Sequence, residues 1–429
     1  MARTAAQLAY DELEAASAVT DASRTLGSLE HLFWLLDQNR SFHFAVTALI
    51  SGKASPDDWR EALDRLQERH PILSVGIEGR PGSIPRFRQE VGASIPLRIV
   101  EGDPNADWEG EVGEELATPF DPAKAPLMRA VLIQGKRDTA FILVAHHSIA
   151  DGLSLAYAIR DTLVAVSGRQ LESLPASLPQ EEILGAYAGQ EAATSAPDQQ
   201  DSAAAGRPAT YRPLDNARPK VNGLRLSPAL TKRLRARARG EGTTVHGALS
   251  AALAIAGRRL SPAWREIPLR VINPINIRPL LGVGDNCGLF VGATASVLDG
   301  KGVDFWDLAR EAKTAVAAGQ EPEAIVAHLS AIAGAVGNGI EVSTAAEFAA
   351  STLAHEAVLT NLGVLPFGGR FGRLKLETLW GPAVLIGMDG VQTVGVATVN
   401  ESICLIHTSH TPPQGLLGAM GDVLVEASR

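Results

Sequence analysis

Two adjacent histidines, followed by an aspartate and a glycine, form the part of this sequence best suited to chemistry: His146-His147-Ser148-Ile149-Ala150-Asp151-Gly152. The apolar run TAFILVA before this segment predicts a strand, and the apolar periodicity after Gly152 predicts a helix. A neutral imidazole can take a proton from a hydroxyl or an amine while that group attacks an acyl carbon. Positioned acid–base catalysis of this kind contributes about 10²–10⁴-fold to a rate.

Strand geometry assigns the two histidines to different faces, because neighbouring residues of a strand point to opposite sides. Only one of them can face a given cleft, and the other must be buried or must brace the loop. The alternative interpretation is a pair of hydrogen-bonded core histidines beside a turn aspartate. The same geometry opposes a metal site at this segment, and the sequence indicates no metal site elsewhere.

The segment HHSIADG resembles the HHxxxDG motif of the condensation-domain and CoA-dependent acyltransferase superfamily. That superfamily includes the condensation domains of nonribosomal peptide synthetases and the polyketide-associated (phthiocerol-type) acyltransferases. Further segments look like its landmarks and occur in its order: ALDRLQERHPIL at 62–73, TPFDPAKAPLMR at 118–129, NIR at 276–278, NCGLFV at 286–291 and TNLG at 360–363. Together these segments extend the resemblance over most of the chain.

The resemblance implies an α/β (α+β) fold of two chloramphenicol-acetyltransferase-like subdomains in a V-shaped arrangement, with the active-site tunnel between them. It implies that His147 is the catalytic base, that His146 and Gly152 belong to the catalytic motif, and that Asp151 forms a structural salt bridge with Arg278. Such a bridge would fix the loop, since a guanidinium group suits a bidentate carboxylate partner. Relatives often have an aspartate two residues before this arginine, whereas this chain has Asn276.

Three residues of the second half are candidates for substrate contacts: Asn361, Thr360 and Trp380. A turn is an equal explanation for Asn361, and core packing is an equal explanation for Trp380. The basic run 232–239 is interpreted as a solvated helix face, with docking of coenzyme A phosphates or of an acidic carrier protein as the alternative.

The chain divides into two α/β halves of similar size. We predict an N-terminal subdomain at residues 1–175, a linker or crossover at 176–220 and a C-terminal subdomain at 221–429. The linker is rich in Ala, Ser, Pro, Gln and Asp and shows little periodicity. The motif DFGWG of plant-type relatives is not present, and adenylation and carrier domains do not fit the remaining length, so we expect a stand-alone enzyme.

The composition of the 429 residues is globular, with 45% hydrophobic and 20% charged residues, which is enough to bury a large core. The net charge of −9 disfavours nucleic-acid binding. Because the two cysteines lie far apart and no apolar run reaches the roughly 18–20 residues of a membrane span, we expect a cytoplasmic protein without a membrane span.

The resulting hypothesis is an acyltransferase that moves an acyl group from a thioester to a hydroxyl or amine of a small natural-product acceptor, with ester formation favoured. Acyl-CoA or a phosphopantetheine-linked acyl thioester on a carrier protein would be the co-substrate, and no permanently bound cofactor is expected. Two alternatives stay open: a catalytically silent condensation-like protein that binds or recruits a carrier protein or ligand, and a hydrolase or isomerase that uses the same site.

Overall fold

The computed structural model describes residues 21–39, 42–188, 210–212, 215–337, 339–352 and 354–429. The strands within these ranges are β1 (His43–Ser51), β2 (Val75–Glu78), β3 (Arg86–Gln89), β4 (Leu97–Glu101), β5 (Met128–Gln134), β6 (Asp138–His146), β7 (Lys220–Arg225), β8 (Leu269–Asn276), β9 (Val291–Leu298), β10 (Ala357–Val364), β11 (Gly369–Phe371), β12 (Leu374–Val384), β13 (Gln392–Val399) and β14 (Ser402–Ser409). The helices are α1 (Ser28–Asp37), α2 (Pro56–Arg69), α3 (Pro104–Ala117), α4 (Gly152–Val166), α5 (Gln180–Ala188), α6 (Pro228–Gly240), α7 (Val245–Leu260), α8 (Pro262–Glu266), α9 (Arg278–Leu281), α10 (Phe305–Gly319), α11 (Pro322–Val336), α12 (Val342–Thr352) and α13 (Leu416–Ala427), with a 3-10 turn at Pro71–Ser74.

The strand and helix signals of the sequence correspond to elements of the structure. Strands β5 and β6 form a hairpin and pair antiparallel from Met128↔Ala145 to Gln134↔Thr139. Ser55 caps α2 by accepting a hydrogen bond from the Asp58 N–H, with Pro56 in the first turn, as its position before Pro-Asp-Asp predicts.

The first sheet has the strand order β11-β12-β1-β6-β5-β4. Its central strands β1 and β6 are almost wholly buried, and β6 contains the apolar run TAFILVA that predicts a strand before the histidine motif. Strands β11 and β12 come from the second half of the chain, and β12 pairs antiparallel with β1 from Phe44↔Val384 to Ser51↔Lys375. The C-terminal half therefore completes the sheet that bears the histidine motif.

The second sheet has the order β7-β14-β13-β10-β8-β9. Strands β8 and β10 are parallel neighbours that pair only at Ala357↔Val271 and Val358↔Ile272. Beyond these pairs the two strands separate, because β8 continues to pair with β9 up to Asn276↔Val291 while β10 continues beside β13. This separation leaves an opening in the sheet that faces the N-terminal half.

The hydrophobic core of the described residues consists of three clusters of buried side chains. One combines α1, α2, α4 and one face of the first sheet with parts of the C-terminal half, a second lies around α7 in the C-terminal half, and a third fills the space between α3, the other face of the first sheet and β14. Two of the three clusters thus contain side chains from both halves. The halves therefore bury surface against each other and are not joined by a linker alone.

The domain boundaries at 1–175, 176–220 and 221–429 stay a prediction. Much of the predicted linker, at 189–209 and 213–214, lies outside the described residues, as do residues 1–20. Among the helices of the described ranges, each is either too short or too polar to cross a lipid bilayer.

Candidate active site

The histidine motif lies at the junction between β6 and α4, where the buried strand ends at His146 and the helix begins at Gly152. Asp151 occupies the N-cap position of α4 in an extended conformation, and its carboxylate accepts a hydrogen bond of 2.7 Å from the Ser154 N–H. An aspartate at this position satisfies one of the free amides of the first helical turn and complements the helix dipole. The sequence therefore folds locally so that a short loop presents His147.

His147 has its imidazole oriented by its own loop. Nδ1 lies 3.0 Å from the Ala150 carbonyl, which can only accept a hydrogen bond, so Nδ1 carries the proton and Nε2 has a free lone pair. The ring lies among three phenylalanine rings, with centroid distances of 4.7 Å to Phe33, 5.7 Å to Phe42 and 4.5 Å to Phe44. Burial in these apolar surroundings lowers the pKa of His147 to about 4, so the imidazole is neutral at neutral pH.

His146 is fully buried and contacts Asp37, which the sequence analysis did not single out. Its Nδ1 accepts a hydrogen bond of 3.2 Å from the Ser148 N–H, so Nε2 carries the proton, and Nε2 lies 3.3 Å from the Asp37 carboxylate. The same carboxylate accepts a 2.6 Å hydrogen bond from the Phe42 N–H, and the Phe42 carbonyl in turn accepts from the His147 N–H. Asp37 therefore ties the start of β1 and the end of β6 together behind His147.

Electrostatics keep the Asp37 carboxylate ionised in this buried position. Burial by itself would raise its pKa, but the neighbouring His146 and His43 rings and the Phe42 N–H outweigh burial and hold the pKa below its usual range. The sequence signal for this role is a carboxylate that directly follows the apolar run FWLL at the end of the helix, which is ambiguous until the fold places it beside His146.

Asp37→Asn is expected to destabilise the fold by about 1–3 kcal/mol, because the amide NH₂ then either faces the His146 Nε2–H, which lies 3.3 Å from the carboxylate, or displaces the acceptor of the Phe42 N–H. The amide has only one acceptor oxygen, whereas the Phe42 N–H and the His146 Nε2–H both need one. Urea denaturation measures the change, with Asp64→Asn on the exposed face of α2 as the matched control. Equal stability of the two variants would contradict this assignment.

Asp151 and Arg278 are brought together from the two halves of the chain. Arg278 Nη2 donates to both carboxylate oxygens at 3.0 Å, and both side chains are buried. The carboxylate also accepts a 3.0 Å hydrogen bond from the Phe290 N–H, so its oxygens are fully engaged away from His147. Asn276 accepts a hydrogen bond from the Arg278 N–H at 3.1 Å and so stabilises the turn that presents the guanidinium group.

Gly152 lies where the two halves meet. A Cβ at this position would approach Pro382 Cγ to 2.5 Å and Leu362 Cδ2 to 2.8 Å, both shorter than a van der Waals contact. Within the described ranges, the N–H groups of Gly152 and Leu153 have no protein acceptor, as expected for the first turn of a helix. The absence of a side chain thus lets the C-terminal half approach closely while two amides stay available.

Gly152→Ala is expected to lower the free energy of unfolding by about 1–3 kcal/mol, since the proline ring cannot rotate away from the added methyl group. The gain in helix propensity of up to roughly 1 kcal/mol offsets this only in part. Gly110→Ala in α3 is the matched control, because a Cβ there meets nothing within 4 Å. Chemical denaturation of both variants should show a loss for the first and none for the second.

A cavity of about 310 Å³ adjoins His147 between the two halves. Its size lies at the lower end of the roughly 300–1,000 Å³ typical of small-molecule sites. Its walls come from α1, β1 and the motif loop on one side and from β8, β9, α11, α12, β10 and β12 on the other. Most of the lining side chains are apolar, so the imidazole of His147 faces a largely apolar space.

Thr360 and Asn361 line this cavity from β10, close to the point where β8 and β10 separate. The Asn361 side chain accepts a 2.8 Å hydrogen bond from the Gly363 N–H, which is the turn role that the sequence left open. A role of either residue in substrate binding stays a prediction.

Trp380 does not line the cavity, contrary to its candidacy for substrate contact. Its ring stacks on Trp108 at a centroid distance of 5.0 Å, in the core cluster on the other face of the first sheet. The register of β12 against β1 shifts between Ala45↔Ala383 and Thr47↔Trp380. Because of this irregularity Trp380 and Pro382 face opposite sides, although simple alternation along a strand would give them the same side.

A family model described as the phthiocerol/phthiodiolone dimycocerosyl transferase C-terminus matches residues 215–377. Tyrocidine synthase 3 of Brevibacillus parabrevis is 30% identical over 135 residues, which are 31% of this chain and 2% of that protein. A plipastatin synthase of Bacillus subtilis is 26% identical over 278 residues, which are 61% of this chain and 7% of that protein. The chain therefore spans only a small part of the length of these curated relatives.

Among solved structures, polyketide synthase associated protein 5 from Mycobacterium tuberculosis superposes with a TM-score of 0.66 at 17% identity, covering 94% of this chain and 97% of that one. The first condensation domain of the calcium-dependent antibiotic synthetase, in complex with a substrate analogue, gives a TM-score of 0.67 at 16% identity and covers 96% of both chains. These similarities confirm the predicted fold, an α/β architecture of two chloramphenicol-acetyltransferase-like units.

The fold and the site together define a protein of two α/β halves in which a neutral, oriented histidine faces a shared apolar cavity. The family model, the relatives and the solved structures point to the same class of protein. The chain is similar in part of its sequence to peptide synthetases, and over most of its fold to a condensation domain and to a polyketide synthase associated protein.

Proposed function

We propose that this protein transfers an acyl group from a thioester to a hydroxyl or amine of a small acceptor, with His147 as the general base. The observation that carries this proposal is the hydrogen bond from Nδ1 to the Ala150 carbonyl, which leaves an unprotonated Nε2 in a cavity shared by both halves. A base that faces a cavity of this size can receive the proton of a bound acceptor as that acceptor attacks.

In the proposed reaction the acceptor oxygen or nitrogen attacks the thioester carbonyl carbon while His147 Nε2 takes its proton. The carbonyl oxygen becomes an oxyanion, and the free N–H groups of Gly152 and Leu153 at the positive end of α4 are the candidate donors that stabilise it. Collapse of the tetrahedral intermediate breaks the C–S bond. The imidazolium, whose low pKa makes it a strong acid, then returns the proton to the leaving thiolate.

Asp151 and Arg278 have a structural role in this scheme. Their mutual contacts engage the carboxylate away from the His147 ring, so Asp151 orients the loop without taking part in the proton transfer. Coenzyme A and a carrier protein are both candidate donors of the thioester. The preference for ester over amide products stays a prediction, since condensation domains form amides.

The test is product analysis by mass spectrometry after incubation of the protein with a panel of acyl-CoA and acyl-carrier thioesters, with and without alcohol and amine acceptors. Loss of thioester matched by an acylated acceptor supports acyl transfer. Loss of thioester without an acylated acceptor would instead assign hydrolysis to the site. Tight carrier binding with no turnover would favour the catalytically silent alternative.

A further inference from the structure

Besides His147, two histidines of the C-terminal half line the same cavity, His328 and His355. His328 lies on α11, and Ala331 and Ile332, three and four residues further along the helix, share its cavity-facing side. Helix α11 packs against α1 of the N-terminal half, so this wall lies across from the apolar side chains of α1. Burial lowers the pKa of His328, and its ring is neutral at neutral pH.

The ring of His328 has no hydrogen-bond partner in the part of the chain that the structure describes. A neutral imidazole has one donor and one acceptor, and the partly buried ring of His328 presents them to the contents of the cavity. When an occupant displaces water from the cavity, leaving this ring unpaired costs about 1–3 kcal/mol. A partner supplied by a bound molecule would remove this cost. The structure therefore presents a polar group to whatever occupies the cavity.

The charges of the lining residues limit which kind of molecule can occupy the cavity. Within the described ranges, Asp151 is the single charged residue among those that line the cavity, and Arg278 already neutralises it. Because the described lining residues include no lysine or arginine, a carboxylate or phosphate inside the cavity would lose its hydration without gaining a counter-ion. A purely apolar occupant would leave His328 unpaired.

We infer that His328 is a specificity-determining residue, which recognises an uncharged hydroxyl or carbonyl group on the otherwise apolar part of the substrate that enters the cavity. This inference rests on the proposed function for the identity of the occupant as a substrate. Either the acyl group or the acceptor could carry such a hydroxyl or carbonyl group, so the experiment has one arm for each of the two substrates.

The experiment measures binding by titration calorimetry, so that no turnover is needed. The donor-arm probes are pantetheine amides with saturated, hydroxylated and carboxylated acyl chains of equal length, in which the amide replaces the reactive thioester. The acceptor-arm probes are the corresponding free alcohols, diols and hydroxy acids. The arm that shows the selectivity identifies which substrate reaches His328.

In the wild type we expect the hydroxylated probe to bind about tenfold more tightly than the saturated probe, and the carboxylated probe to bind most weakly. His328→Leu should abolish the preference, and His328→Gln, which keeps a donor and an acceptor, should retain part of it. Ser330→Leu places the same apolar side chain on the exposed side of α11 and should leave the preference unchanged.

An unchanged preference in His328→Leu, or tightest binding of the carboxylated probe, would overturn the inference. The proposed function and the inference on His328 can be contradicted independently of each other. Selective binding that depends on His328 in a protein that transfers no acyl group leaves this inference standing and removes the proposed function. Acyl transfer whose substrate selectivity does not depend on His328 would leave the proposed function standing and remove this inference.

Discussion

Replacement of His147 by alanine is expected to lower kcat/KM for acyl transfer by about 10²–10⁴-fold, the usual contribution of a positioned base. Within the described residues the ring makes one hydrogen bond, to its own loop, so its loss removes the proposed base without breaking a hydrogen bond between the two halves. Substrate binding, which depends on the apolar walls, should change much less than kcat. Steady-state kinetics with the donor and acceptor found by product analysis measure both quantities.

The pH dependence gives an independent check on this base. Because burial lowers the pKa of His147 to about 4 from the ordinary 6.5, the rate should be level near neutrality and should fall tenfold per pH unit only below about pH 4. The free energy of unfolding also falls as the pH falls. The unfolded chain binds the proton more readily than the folded chain, so this histidine favours unfolding progressively as the pH falls from 6.5 towards 4.

His410→Ala is the matched control for the loss of a histidine, since His410 is half-buried and lies away from the cavity. It should leave kcat unchanged. Circular dichroism at each pH separates acid unfolding from titration of the base. Transfer at the wild-type rate in His147→Ala, or a rate that falls with a midpoint near the ordinary histidine pKa, would contradict the mechanism.

The second large effect is expected at the bridge between the halves, where Asp151→Asn should lower the free energy of unfolding by about 3–5 kcal/mol. The substitution leaves the Arg278 guanidinium buried with its charge unbalanced, since its other hydrogen bonds go to neutral oxygens: the carbonyls of Gly284 and Asn286 and the Ser154 hydroxyl. A buried pair differs in this respect from a surface pair, in which water replaces the lost partner.

Denaturation by guanidinium chloride measures this loss, and a double-mutant cycle isolates the pair. Asp151→Asn combined with Arg278→Met should cost less than the sum of the single substitutions, because the unbalanced charge is then removed. Arg60→Met breaks the exposed pair with Asp57 and serves as the control, with an expected change below about 1 kcal/mol. A cost for Asp151→Asn that is as small as this control would contradict a structural role for the bridge.

The local part of the site could be predicted from the sequence because it depends on near neighbours. An apolar run that ends in histidine, followed by an aspartate that can cap a helix, fixes a strand, a loop and a helix within about 30 residues, and the structure has β6 and α4 at these positions. The resemblance to the HHxxxDG superfamily added the pairing of Asp151 with Arg278, which lie 127 residues apart. Spacing alone could not have given that contact.

The tertiary structure decided the features that join distant parts of the chain. Strand β12 completes the sheet of the other half, and one of the two register shifts in its pairing with β1 turns Trp380 away from the cavity, whereas simple alternation gives no sign of such a shift. Asp37 and His328 have ordinary helical surroundings in the sequence. Asp37 contacts His146 only because α1 packs beside the end of β6, and His328 lines the cavity only because α11 packs against α1. Periodicity and capping signals act over a few residues, but burial, charge compensation and cavity shape depend on the packing of all elements. The sequence therefore determined which histidine motif this protein carries, and the packing of the two halves determined what surrounds it.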